Sequence, residues 1–383
     1  MTRRAWLIAT PYIAICGLVC LAMVHSVLAA NSMQSEKIDA IVKAAGVRSG
    51  NMPGAAILVL KGDQVLFEHG YGVADLHSLH KIDEHTNFRL ASVTKQFTAM
   101  AIMLLVHDGK LHYDNRLIDI FPEFPEYGRT ITIRNLLNHT SSLQDYEDLM
   151  PQPDPRVPIE QSQIQDTGVL NLLKLQKETN FKPGSKWAYS NSGYVVLGLI
   201  VEKVSGQSFT DFLSDRIFVP LKMAGSVAYV RGGNEVRNRA YGHTFDNGAW
   251  TQADQSSTSA TLGDGGIYSS LEDLAKWDQA LRKNTLLSPH EMQAALTPVK
   301  VSDGEVTEPD GTPAEYGFGW FLNSYKGHPR MWHYGETTGF RTAIQRFVDD
   351  DLTIIVLCNR ADLNPSGLAL QIADLYLGSF GKR

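Results

Sequence analysis

The chain has 383 residues, enough to bury a sizeable core as one large domain or two modest ones. A composition of 43% hydrophobic and 20% charged residues is that of a globular protein and excludes a disordered or fibrous one. The formal net charge of −6, without long charge runs, sets nucleic acid aside as a partner.

In chain order, the first element is a targeting signal. Arg3 and Arg4 precede an uncharged stretch from Ala5 to Val24, and Val27-Leu28-Ala29 reads as a small-residue cleavage site. Residues 1–29 are therefore expected to be a signal peptide, with a mature start near Ala30 and export to the bacterial periplasm or beyond. The competing reading is an uncleaved anchor, since about 20 apolar residues can span a bilayer. Pro11, Gly17 and the small residues after them favour cleavage. Cys16 and Cys20 lie in this segment, and neither follows the small residues of a lipoprotein site. Beyond it only Cys358 remains, at the end of the apolar run from Leu352, where a core role outweighs a nucleophilic one. A mature chain with no internal disulfide suits a periplasm better than a disulfide-rich extracellular scaffold.

Ala55 to Leu60 is a strand candidate, Lys61-Gly62-Asp63 a turn, and Gln64 to Tyr71 a second strand, together a hairpin. Ser92 to Val106 has a helical pattern that ends at Asp108-Gly109, with Gly109 suited to a left-handed cap. Short helical patches follow, separated by Pro and Gly clusters such as Pro151 to Pro158. Near the end, Gly317 to Leu322, Gly339 to Val348 and Leu352 to Leu357 read as strands, with Asp349-Asp350-Asp351 as a turn. Pro365 to Phe380 reads as a closing helix in which Leu368, Ile372, Leu375 and Tyr376 share a face. Strands at both ends with helices between them predict an α/β (α+β) protein. Its antiparallel sheet comes from the N- and C-terminal segments and is flanked by helices, with a largely helical inserted subdomain. Residues 30–383 form one catalytic domain on this reading, its α/β part about 36–110 plus 265–383 and its helical part about 111–264.

The chemistry concentrates in three places. A serine hydroxyl needs a base before it can attack, and Ser92 and Lys95 stand three apart at a helix start, on one face. The positive end of the helix dipole and partial burial disfavour a charged lysine, which fits Lys95 to act as that base. The N–H of Ser92, in a first helical turn, is free to serve an oxyanion. Tyr189-Ser190-Asn191 offers a phenol to relay a proton and a carboxamide to hold a substrate amide. His333-Tyr334-Gly335 precedes a strand, where a cation or donor could meet a substrate carboxylate. Each pattern has a decoy. Ser78 and Lys81 repeat the first spacing without an apolar helical repeat behind them. Tyr113-Asp114-Asn115 and His107-Asp108-Gly109 directly follow the Ser92 helix and read as its end and turn.

With these motifs the chain resembles the class C β-lactamase group of penicillin-recognising serine hydrolases. That group also holds DD-carboxypeptidases, D-amino-acid peptidases and esterases of β-lactamase fold. The related Ser-x-x-Lys signature of class A lactamases is followed by Ser-Asp-Asn and Lys-Thr-Gly. Here the later elements are Tyr189-Ser190-Asn191 and His333-Tyr334-Gly335. Flanking segments add to the likeness: Phe88 to Ala91, Leu136 to Ser141, Phe181 to Gly184, Gly265 to Ser270 and Tyr316 to Trp320. It covers roughly Ile38 to Leu377. The resemblance implies Ser92 as acylated nucleophile, Lys95 as its base partner and Tyr189 as proton shuttle. It implies Asn191 orienting the substrate amide, His333 where many lactamases have lysine, and Gly335 letting substrate lie close to its strand. The oxyanion hole would use the N–H groups of Ser92 and Glu336. Three departures stand out: His333 for lysine, the bulky Tyr334, and Ser142 where a glycine often follows His-Thr-Ser.

The implied reaction is two-step acyl transfer without metal or organic cofactor, on a D-amino-acid peptide such as those of the cell wall, a short ester or a β-lactam. The rivals are a penicillin- or muropeptide-binding sensor that acylates without turnover, which an uncleaved anchor would suit, and an interaction protein with a relict site. His139 reads as a structural histidine. His77, His80 and His85 are spaced too irregularly, in a polar loop, for a metal site. No Gly-x-Ser-x-Gly elbow is present, which argues against an α/β-hydrolase. Oligomeric state has no signature in this sequence.

Overall fold

The structure is a computed structural model that describes residues 33–308 and 310–378. The N-terminal segment read as a signal, with Cys16 and Cys20, lies outside the described residues, as do the last residues of the expected closing helix. Residues 33–44 form a helix within a small N-terminal unit that ends at Gly46. The second unit, from Val47 onward, carries everything described below.

Its centre is a six-stranded antiparallel sheet with the spatial order Gln64–Tyr71, Ala55–Lys61, Leu352–Cys358, Phe340–Phe347, His328–Thr337, Phe321–Tyr325. The first strand pairs along its whole length with the last, Ala55 opposite Cys358 and Lys61 opposite Leu352. The sheet is thus built from the two halves of the chain, as the strand candidates predict. All seven residues of Leu352–Cys358 are buried, which explains an uninterrupted apolar run rather than an alternating one: both faces are covered. Cys358 is free and wholly buried among them, a core residue.

Two strands differ from expectation. Gly317 to Trp320 is not a strand, because Gly319 turns the backbone at φ +76° and the strand starts only at Phe321. His328–Thr337, unrecognised in the sequence, is the longest strand. Its Pro329 and its polar residues broke the pattern. The middle of the chain is also less uniformly helical than expected. It holds the hairpin His243–Asp246 with Ala249–Gln252, and a small sheet in which Ile267–Ser269 joins Phe88–Arg89 and Val227–Ala228.

Two helices form the centre of the helical side. Asn191–Ser205 is capped by Ser190, whose hydroxyl accepts from Gly193 N, and is buried from Ser192 to Val201. Lys95–His107 packs against it and is buried at every position from Lys95 to Leu105. Phe97, Met100, Ala101, Leu104 and Leu105 alone would give it one apolar face. Instead the helix is enclosed on all sides, and Gly109 follows in the left-handed conformation the sequence called for.

Candidate active site

Ser92 lies in a short 3-10 turn, Ala91–Thr94, immediately before the enclosed helix. The turn is held from both sides. Leu90 N donates to Ile267 O at 2.8 Å, Thr342 Oγ1 donates to Leu90 O at 2.7 Å, and Ile267 N donates to Thr94 Oγ1 at 3.2 Å. Ala91 sits at φ +48°, a left-handed conformation that costs a residue with a Cβ about 1–2 kcal/mol. That strain turns the Ser92 side chain into a cleft of about 530 Å³, lined by Ser92, Asn191, Glu147, Asp264, Gly265 and Glu336 among others.

Lys95 is fully buried, and its Nζ has three neighbours. Ser92 Oγ is at 3.0 Å, Asn191 Oδ1 at 2.8 Å and the backbone oxygen of Asp264 at 3.0 Å. The last two can only accept, so two of the amine's hydrogens are committed to them. What remains on the nitrogen points at Ser92: a third hydrogen when the amine is charged, a lone pair when it is neutral. Losing the proton therefore costs no hydrogen bond to Asn191 or Asp264, and the one to Ser92 reverses so that the serine hydroxyl donates to the nitrogen. Burial pushes the lysine down to about 8, against the opposing pull of Asp264, Asp145 and Glu147.

Tyr189 lies in the loop before Ser190, with Lys95 Nζ 4.8 Å from its ring centroid. Its buried hydroxyl lies close to the Ser92 side chain, and burial holds its pKa well above the usual phenol value despite that contact. Asn191 opens the next helix. Its Oδ1 is occupied by Lys95, and its Nδ2 lies 3.4 Å from Glu147 Oε1 at the mouth of the cleft.

His333 and Gly335 lie on one face of the strand His328–Thr337, and that face is turned to the protein interior. His333 is fully buried, its Nε2 3.1 Å from Tyr316 Oη and its Nδ1 2.6 Å from Tyr334 O. Burial and the nearby Lys95 push it down to about 3, so it is neutral and meets no substrate carboxylate as a cation. Gly335 also serves the packing beneath its strand. A Cβ there would stand 2.1 Å from Leu90 O and 2.4 Å from Thr342 Oγ1, so the glycine lets the strand approach the Ser92 turn. Gly335→Ala is expected to lower stability by roughly 1–3 kcal/mol through overpacking, read as a reduced Tm, with Ser92 acylation slowed in parallel.

Phe321–Tyr325 pairs with the long strand only as far as Trp332, which leaves the edge beyond it open. Counting from the two-residue turn Thr338-Gly339, closed by Thr337 opposite Phe340, the antiparallel alternation aims the backbone groups of Glu336 at that open edge. The Glu336 side chain is turned outward and paired with Arg341 at 2.7 Å.

The sequence decoys are elsewhere. Lys81 donates to Gly50 O and Asn51 Oδ1 rather than to Ser78, and His107 and Asp108 pair with Glu291 and Arg216. Ser142 stands at φ +61°, which explains a glycine preference there, and its Oγ accepts from Phe181 N at 2.5 Å. Trp320 is a core residue, whereas Trp187 is half-buried beside the rings of His139, Tyr189 and Tyr316.

Four residues escaped sequence reading: Asp145, Glu147, Asp264 and Tyr316. Asp264 lines the cleft with a buried Oδ1 that has no partner among the described residues, while its Oδ2 accepts from Tyr146 Oη at 3.1 Å. Asp145 and Glu147 are held above the usual carboxylate range by burial and by mutual repulsion among these acids. For the acids the sequence offers only Asp145-Tyr146-Glu147-Asp148, an ordinary helix start by its pattern, whereas Tyr316 stands in one of the family-like flanks without a role of its own.

The chain matches the Beta-lactamase family over residues 36–378. It is 32% identical over 321 residues to penicillin-binding protein 4* of Bacillus subtilis (strain 168), covering 80% of this chain and 68% of that protein. It is 29% identical over 332 residues to a D-aminopeptidase of Brucella canis (strain ATCC 23365 / NCTC 10854 / RM-666), covering 85% of this chain. The match spans only 60% of that relative's length. Among solved structures it is similar to the octameric penicillin-binding protein homologue from Pyrococcus abyssi, with a TM-score of 0.76 and 25% identity over 91% of this chain and 77% of that one.

Proposed function

From the premise that the chain belongs to the β-lactamase family, we propose that it is a serine hydrolase that forms an acyl-enzyme on Ser92. The observation that carries this reading is the committed geometry of Lys95 Nζ, which leaves one position for Ser92 Oγ in either protonation state. Neutral Lys95 takes the Ser92 proton as Oγ bonds to the substrate carbonyl carbon. The N–H groups of Ser92 and Glu336 receive the developing oxyanion. The proton reaches the leaving group through the Tyr189 hydroxyl as the scissile bond breaks, and water then releases the acyl group from Ser92.

For the substrate we favour D-amino-acid amides and peptides with a free amino group over esters and β-lactams, a class suggested by the D-aminopeptidase relative. Glu147 forms no ion pair among the described residues, with only the buried Lys95 acting on it, and stands at the mouth next to Asn191, while Asp264 adds an unpartnered buried oxygen. His333 brings no positive charge for a carboxylate. The cleft thus favours a substrate ammonium over a second anion. Export through the segment led by Arg3 and Arg4 is part of this proposal and would place the enzyme beside cell-wall peptides.

The test compares D-alanyl p-nitroanilide with its N-acetyl form. The free amine is expected to be hydrolysed faster, and Glu147→Gln is expected to cut its kcat/KM by about tenfold or more, as for a lost charge-assisted hydrogen bond. The N-acetyl substrate should be unaffected by that substitution. Equal rates for both substrates in both proteins would overturn the amine preference, and no turnover of either would count against hydrolase activity itself.

A further inference from the structure

Two histidines that the mechanism above does not use as bases lie under the site, one on each side of Tyr316. His139 is fully buried at φ +60°, directly after the helix Ile133–Leu137, with its ring centroid 4.4 Å from that of Tyr189. Its Nδ1 lies 3.1 Å from Ser190 N and its Nε2 3.1 Å from Tyr316 Oη. Tyr316, also fully buried, is 3.1 Å from His333 Nε2, and His333 Nδ1 is 2.6 Å from Tyr334 O.

The ends of this chain fix its direction. A backbone N–H can only donate, so His139 Nδ1 accepts from Ser190 and a neutral His139 carries its proton on Nε2. That proton is donated to Tyr316 Oη. At the other end a backbone carbonyl can only accept, so His333 carries its proton on Nδ1 and its Nε2 accepts from the Tyr316 hydroxyl. Along this path each site between Ser190 and Tyr334 has one role; the Tyr194 hydroxyl also lies against Tyr316, but its own proton is given to Leu137 O at 2.6 Å. A proton added to His333 Nε2 would leave two donors facing each other there, and one added to His139 Nδ1 would face the Ser190 N–H.

We propose that Tyr316 is a positioning residue for the reaction at Ser92: it bridges His139 and His333, fixes their opposite tautomers, and so holds the Tyr189 ring and the His333 strand in one arrangement around Lys95. The proposal rests on the hydrolase reading for its effect on rate, but its hydrogen-bond pattern does not depend on that reading. The bridge joins the loop bearing Tyr189 to the strand whose Glu336 faces the cleft. A shift of either would misalign proton donor and oxyanion donor.

Nitrogen-15 NMR of histidine-labelled protein tests the pattern directly, with the two residues assigned from His139→Gln and His333→Gln variants. The expected spectrum has His139 as the Nε2–H tautomer and His333 as the Nδ1–H tautomer, both neutral from pH 5 to 9. Identical tautomers, or a charged imidazole at either position in that range, would overturn the proposal whether or not the protein is a hydrolase. The second arm is Tyr316→Phe, which keeps the ring and removes the bridge. A fall in kcat of about 10- to 100-fold with KM little changed is expected, together with loss of the fixed His333 tautomer. A folded variant with unchanged kcat would overturn the positioning role. Should the variant fail to fold, the wild-type tautomers still decide. Absence of Ser92 acylation in the wild type would instead count against the hydrolase reading and leave the tautomer result standing.

Discussion

Ser92→Ala is expected to lower turnover of any acyl substrate by about 10⁶-fold, the scale on which loss of a serine nucleophile is felt. It should also abolish labelling by a fluorophosphonate probe, read by intact mass, without lowering Tm. The chemical effect is large because the attacking atom itself is removed. The structural effect is small at pH 9 and above, where Tm is to be read and the amine is mostly neutral: Lys95 Nζ keeps Asn191 Oδ1 and the Asp264 carbonyl, and the turn stays held through Leu90 and Thr94. Undiminished labelling of the alanine variant, for instance at Ser256 or Ser257 in the same cleft, would sink the assignment.

Lys95 gives the second large effect, with a distinct pH signature. Only the neutral amine can take the Ser92 proton, so the acylation rate of the wild-type protein should rise with pH through a midpoint near 8 and level off above it. Lys95→Met should lower kcat by about 10²- to 10⁴-fold and remove that midpoint. A profile flat between pH 6 and 9 in the wild type would contradict a lysine base. The same group leaves a mark on stability. Its folded value, about 8, lies below the ordinary 10.5, so between these the unfolded chain binds the proton and the folded chain does not. The unfolded state then holds more protons, and stability must rise with pH across that window, by up to roughly 3 kcal/mol from this lysine alone. Below pH 8 the cost of burying the charge is felt in full. Chemical denaturation of wild type and Lys95→Met at pH 7 and 10 isolates the difference, which should vanish in the methionine variant.

Much of this protein could be read from residue order. Ala55 to Leu60 and Leu352 to Leu357 announce themselves as strands because they are enclosed on both faces and so are uniformly apolar. Ser92 and Lys95 are legible because a helix fixes their spacing, and the structure brings Asn191 to the same amine. His328–Thr337 was not legible as a strand. One of its faces touches the Ser92 turn and the other borders a cleft, so polar and aromatic residues interrupt the alternation that marks an ordinary strand. Whether His333 is a cation or a neutral donor was not legible, because charge depends on burial and nothing in His-Tyr-Gly reports that all of the ring is enclosed. Glu147 and Asp264 were missed for a related reason. Their significance lies in which carboxylates meet at the cleft without a full ion pair once the loops come together, and the two residues stand 117 positions apart in sequence.

The pairing of Ala55–Lys61 with Leu352–Cys358 also governs the order in which the molecule can come into being. The second strand of that pair emerges almost 300 residues after the first, and until it arrives Ala55–Lys61 has the Gln64–Tyr71 strand on one edge and nothing on the other. Contacts of such high sequence separation form slowly, and an apolar strand left waiting is an invitation to pair with the wrong chain. The nascent protein therefore spends most of its synthesis with a sticky edge uncovered. The Ser92 turn, anchored on Thr342 from the late half of the chain, is held in place only once that half has been made. Covalent labelling of Ser92 would thus serve as a clock for the final step of folding.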